Sequence, residues 1–120
     1  MTNTFDEPYG FITPDGVFHP VEWGEHTEYA YRYIDNNGLQ DDFYKWWRDE
    51  TTSVYESPTD YLVYKHGWLL LHSPGYGLTH LTHSDKEMTK AQRETLFDYY
   101  LAYGRENDAM ELYNDQRKTG

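Results

Sequence analysis

Two turn signatures, each set between short apolar runs, restrict the fold of this chain more than any other feature. In "GFITPDGVFHP" (10–20), Phe11 and Ile12 precede Pro14-Asp15-Gly16, and Val17 and Phe18 follow. Proline presets φ and glycine accepts a left-handed backbone, so the stretch reads as a β-hairpin. Pro20 is expected to end its second strand, because proline cannot donate to a ladder. Farther along, "WLLLH" (68–72) and "LTHLTH" (78–83) flank Ser73-Pro74-Gly75-Tyr76-Gly77 and read as a second hairpin.

Elsewhere the pattern is helical. Thr27 is placed to cap a helix with Ala30, Tyr31 and Ile34 on one stripe, which Asn36-Asn37-Gly38 stops. A second helix is expected over Leu39–Glu50, with Phe43, Trp46 and Trp47 on one side. Ser57-Pro58-Thr59-Asp60 combines a cap, a proline at the first helical position and an acid three residues on, and Gly67 closes that short helix. Thr89-Lys90-Ala91-Gln92 opens the best-marked helix, whose stripe is Leu96, Tyr99, Tyr100 and Tyr103, with Gly104 at its end. A last helix over Asp108–Gln116 presents Ala109, Leu112 and Tyr113. Strands and helices segregate locally, which indicates an α+β fold. The expected architecture is a small, mostly antiparallel sheet of two hairpins joined edge to edge, with five helices packed on one face. Residues 1–120 form one domain by length, with 1–8 a loose lead-in.

Composition narrows the chemistry. No cysteine is present, which removes disulfides, zinc–thiolate sites and cysteine nucleophiles and fits a reducing cytoplasm. The longest apolar run, Tyr99–Tyr103, is far too short to cross a membrane, and the N-terminal stretch MTNTFDEPYG does not read as a signal peptide. Thirteen Tyr, five Phe and four Trp lead to the expectation that rings supply most of the core. Surplus tyrosine on the surface then favours contacts with other proteins.

The 21 Asp and Glu against 10 Lys and Arg leave a net charge of −11. That balance opposes direct binding to a phosphate backbone and suits a cationic partner, including a basic nucleic-acid-binding protein. Asp35, Asp41, Asp42, Asp49, Glu50, Glu56 and Asp60 crowd the first half and form a row that a DNA channel of such a partner would accept. Ordinary solvated charge explains the same residues.

Candidate chemistry centres on histidine. "FHPVEWGEH" (18–26) holds His19 and His26, seven apart across a turn, where neither helical nor strand periodicity puts them on one face. Acids at Glu25 and Glu28 suit the start of a helix, so the stretch reads as a strand-to-helix junction. If the second hairpin loop is 73–77, His72 faces Leu78 and His80 faces Leu70, which sets both histidines on one side at diagonal positions. With His19 or a carboxylate they form the alternative candidate, a metal-binding module or metalloenzyme. Nucleophilic catalysis lacks support: no Gly-x-Ser-x-Gly elbow exists, and Ser73 points away from His72.

The most suggestive binding feature is "FYKWWRDE" (43–50). Trp46 and Trp47 lie about 100° apart on a helix, so one can face the core with Phe43 while the other turns outward. Trp47 beside Arg48 is the residue pairing favoured at interface hot spots. The expected partner contacts are Asp41, Asp42, Tyr44, Trp47, Arg48 and Asp49.

The runs "GFITPDGVFHPVEWGEHTEYAYRYI", "YLVYKHGWLLLHS" and "MTKAQRETLFDYYLAYG" together resemble small proteins encoded in phages and prophages of Gram-positive bacteria. A Pro-x-Gly hairpin, a Gly-x-His helix start, a Gly-Trp strand and a capped C-terminal helix recur there in this order. The resemblance implies a mobile-element origin, a bacterial cytoplasm as the setting, and action by binding a host, defence or phage protein without a cofactor. It carries no catalytic residue. A homo-oligomeric structural protein, built through tyrosines of the last two helices, is the remaining alternative.

Overall fold

The computed structural model describes residues 8–22, 24–51, 57–72 and 79–119. Four strands, β1 (Tyr9–Ile12), β2 (Phe18–Val21), β3 (Leu69–His72) and β4 (His80–Thr82), form one sheet in the order β2-β1-β3-β4 with every pairing antiparallel. The two hairpins meet through β1 and β3, where Phe11 pairs with Leu70. The fold is α+β, with both hairpins where the turn signatures place them. Pro20, however, lies inside β2 instead of ending it. It pairs with Gly10 on the outermost strand, where the missing N–H costs the ladder nothing.

The helices are α1 (His26–Asn36), α2 (Gln40–Glu50), α3 (Pro58–Asp60), α4 (Lys90–Ala102) and α5 (Glu106–Thr119), and α3 runs straight into a π-helical turn over Tyr61–Lys65. They cover both faces of the sheet, which corrects the one-face expectation. Phe11 and Leu70 point to one side, into a cluster with Ala30, Ile34, Phe43, Tyr61 and Leu62. Ile12, Leu69 and Leu71 point to the other, against Leu96, Tyr99, Ala109 and Leu112 of α4 and α5. The physical sign of this was the unbroken Leu69-Leu70-Leu71 run. Alternation sends successive side chains to opposite faces, so three buried leucines in a row require cover on both.

Rings share the interior less generously than composition suggests. Of the seventeen buried apolar residues described, six are aromatic. Aliphatic side chains therefore fill most fully buried positions. Tyr29, Tyr31, Tyr33, Trp46, Phe18, Phe97 and Tyr103 instead form a half-buried shell around the two clusters.

Local chemistry fixes the helix starts. Thr89 and Gln92 make a reciprocal capping box, and the Ser57 hydroxyl accepts from the Asp60 N–H at 3.2 Å. α1 begins one residue before the expected cap at Thr27, after Glu25, with no side-chain cap bond. The first hairpin turn is docked on α4: the Thr89 hydroxyl donates to the Pro14 carbonyl and that of Thr95 to the Gly16 carbonyl, each at 2.6 Å. Gly16 supplies the positive φ, +85°, that this turn requires.

Candidate functional site

α2 amphipathically buries Phe43 and leans Trp46 on the same cluster, which turns its other flanks to solvent. Asp41, Tyr44 and Arg48, spaced i, i+3 and i+7, share one stripe, and Trp47 adjoins it one turn from Tyr44. Asp41 and Arg48 are exposed, and Tyr44 exposes 44% of its surface. Trp47 is half-buried, and its Nε1 is sealed without a hydrogen-bond partner. Asp42, Lys45 and Asp49 occupy the neighbouring flank, about 100° round the helix. The six expected contact residues are thus split between two flanks. Asp49 stays beside Arg48, at 3.8 Å, an exposed pairing that leaves both free for other charges.

Asp42 is already engaged. The buried Tyr61 hydroxyl donates to its carboxylate, and His66 Nε2 lies 2.8 Å from the same hydroxyl. Burial and the neighbouring Asp42 carboxylate push the Tyr61 phenol well above the usual tyrosine range, so it remains protonated. Burial also lowers the His66 pKa, against the pull of Asp42 and with the help of Lys65 and Lys86. The result is an Asp42–Tyr61–His66 chain across the start and end of the π-helical turn. Other acids of the row are similarly occupied: Asp35 accepts from Gln40 at 3.1 Å and Glu50 from Lys65 at 3.3 Å. Glu56 lies outside the described residues.

The histidines gather differently from expectation. The sheet register sets His72 opposite His80 and Leu70 opposite Thr82, so the two histidines do share a side but are direct partners instead of diagonal ones. Residues 73–78, with the expected loop and Leu78, lie outside the described residues. His19 sits two strands from β3, stacked on Trp68 with centroids 5.7 Å apart and with Nδ1 2.8 Å from the Tyr29 hydroxyl. Among the described residues, no three His, Asp or Glu side chains are grouped to hold a metal ion. His72, His80 and His19 therefore do not converge.

Among the described residues of 18–26, β2 precedes α1 and the two histidines both pack on the Phe11 face of the sheet, because α1 folds back over it. His26, the first residue of α1, lies 5.7 Å from the Phe11 ring and 4.5 Å from the ring of His72, centroid to centroid. Burial first, and then the proximity of His72, lowers its pKa from 6.5 to about 4. Sequence reasoning missed this pair, and it missed Tyr61 and His66. Nothing in their spacing signals contact, since 46 residues separate His26 from His72 and 19 separate Asp42 from Tyr61.

No helix among the described residues is long and apolar enough to cross a membrane. Comparisons with known protein families, with curated proteins and with solved structures found no match for this chain.

Proposed function

We propose that this protein is a non-enzymatic binding module of phage or prophage origin that works in the bacterial cytoplasm. It docks a cationic host, defence or phage protein, such as a nucleic-acid-binding protein, on the outer face of α2. The observation that carries the reading is the stripe of Asp41, Tyr44, Trp47 and Arg48 on one helix whose opposite side is anchored by Phe43. A tyrosine, a tryptophan and an arginine side by side supply the contact types that dominate binding energies. The surrounding charge of −11 steers a basic partner toward them. The test is recovery of partners from a bacterial lysate across a salt series, with wild type and Tyr44→Ala, Arg48→Ala compared. A basic protein retained by wild type and lost from the variant supports the reading; equal recovery by both removes it.

A second reading, self-association through the C-terminal helices, rests on the exposure of Leu101, Met110 and Tyr113, each near half of its surface. Sedimentation decides it, since a monomer at every concentration ends that reading.

A further inference from the structure

A cleft of about 180 Å³ lies between the end of the π-helical turn and the segment leading into α4, with His66, His83, Ser84, Lys86, Glu87 and Thr89 in its walls. Liquid water occupies about 30 Å³ per molecule, so the space suits a small ion or group. The hydrogen bonds behind these side chains determine what they offer to it.

The Tyr61 hydroxyl has a single proton, which goes to Asp42. Its contact with His66 therefore requires His66 Nε2–H as the donor, and the neutral ring carries its lone pair on Nδ1. The Ser84 carbonyl only accepts, so His83 donates through Nδ1 at 2.8 Å and keeps a lone pair on Nε2 when neutral. Lys86 gives one ammonium proton to the Lys65 carbonyl at 3.0 Å and retains two. The cleft thus combines two imidazole acceptors, each with its tautomer set by the other nitrogen, and one ammonium donor. Around His66 stand Tyr61 and Asp42 from behind, Lys65 on its own turn, and His83, Lys86 and Glu87 about the cleft. Glu87 is drawn toward Arg93, 3.9 Å away.

A simple dianion leaves both lone pairs unmatched, and a metal ion leaves the ammonium unmatched. A ligand that carries an acidic proton and anionic oxygens together satisfies both. We propose that this cleft binds phosphate in its dihydrogen form, whose two P–OH groups donate one to each imidazole nitrogen while its charged oxygens accept from Lys86. The site is separate from the α2 stripe and independent of the partner proposed for it. The net charge of −11 repels anions at long range, so selection has to arise from contact within the cleft, and inert salt should help binding.

Near neutrality a share of phosphate keeps two protons and sulfate keeps none, which gives the test its contrast. Imidazole NMR signals of the full chain are followed during additions of inorganic phosphate, sodium sulfate and phosphoserine at constant ionic strength. At about pH 7.5, phosphate should move the His66 and His83 signals, with sulfate at least about fivefold weaker. Phosphoserine, whose monoester is largely a dianion without a P–OH at that pH, should respond as weakly as sulfate, and a response as tight as that to inorganic phosphate would overturn the proposal. Lys86→Gln, at an exposed position, should weaken phosphate at least about fivefold with the unfolding midpoint unchanged. Tyr61→Phe should erase the preference over sulfate by releasing the His66 tautomer. Static His66 and His83 signals in excess phosphate, equal response to sulfate at about pH 7.5, or an unaffected Lys86→Gln would overturn the proposal.

Discussion

The ring of His26 stands edge-on to that of His72, with centroids 4.5 Å apart and planes at 81°. Neither nitrogen of His26 has a hydrogen-bond partner of ordinary geometry, and only a lesser pull from the Leu71 backbone favours a proton on its ring. Folded His26 titrates at about 4 and an unfolded histidine near 6.5. Between those values the unfolded chain binds the extra proton. Stability is therefore complete above the unfolded value and falls as the pH drops toward about 4, by up to about 3 kcal/mol. Urea unfolding from neutral to acid pH, in wild type and in His26→Phe, isolates the effect from the carboxylates. Parallel slopes in the two proteins would show that His26 contributes none of it.

Arg105 ties the entrance of β4 to the last two helices. Its guanidinium donates to the Thr79 carbonyl at 3.0 Å and hydroxyl at 2.9 Å, pairs with Asp108 at 2.7 Å, and lies over the Tyr100 ring. Its side chain is 12% exposed, so removal takes a donor from the Thr79 carbonyl and hydroxyl and the ion partner from Asp108. Arg105→Ala should cost about 2–4 kcal/mol. The exposed Arg32–Glu28 pair is the contrast, and Arg32→Ala should cost under about 0.5 kcal/mol. Thermal midpoints compare the two, and a similar small loss in both is the contrary outcome.

At Gly10, close approach of two strands matters more than any turn. A Cβ there would stand 2.2 Å from the His19 carbonyl oxygen, which belongs to the paired backbone and cannot rotate away. Gly10→Ala should destabilise by about 2 kcal/mol or more. Denaturant titration measures it, and a neutral substitution would mean that the β1–β2 pair opens at little expense.

Thr89 serves the α4 cap and the first hairpin turn together, through Gln92 N–H at 3.0 Å and the Pro14 carbonyl at 2.6 Å. Thr89→Ala loses both and should cost about 1–2 kcal/mol, while Thr89→Ser should restore most of it. Hydrogen exchange at the first turn of α4 reports the change directly. Equal protection in both variants would separate the hydroxyl from the stability of that turn.

What was legible in the sequence is local. Ser57, Thr89 with Gln92, and Pro14-Asp15-Gly16 act within a few residues of themselves, and each does in the structure what its spacing predicts. The antiparallel pairing of the two hairpins followed from the need of each for a neighbour. Helices on both faces were written in Leu69-Leu70-Leu71, although a short apolar run alone does not say what covers it. The stripe on α2 was legible as a set of residues but not as two flanks, because Asp42 is claimed by Tyr61 from a different element. The π-helical turn that brings Tyr61 and His66 together has no signature in "YLVYKH". The His26–His72 contact depends on how α1 folds back over β3, which no local rule specifies.

Pro20 has a consequence for assembly. As a member of the outermost strand β2, it offers no N–H to an incoming chain, while the opposite border, β4, is only three residues long. Both rims of the sheet are thereby poor templates for strand recruitment, whether by a foreign peptide or by a second copy in fibrillar growth. Among the described residues, the borders of the sheet give a partner less to pair with than the side chains displayed on the helices do.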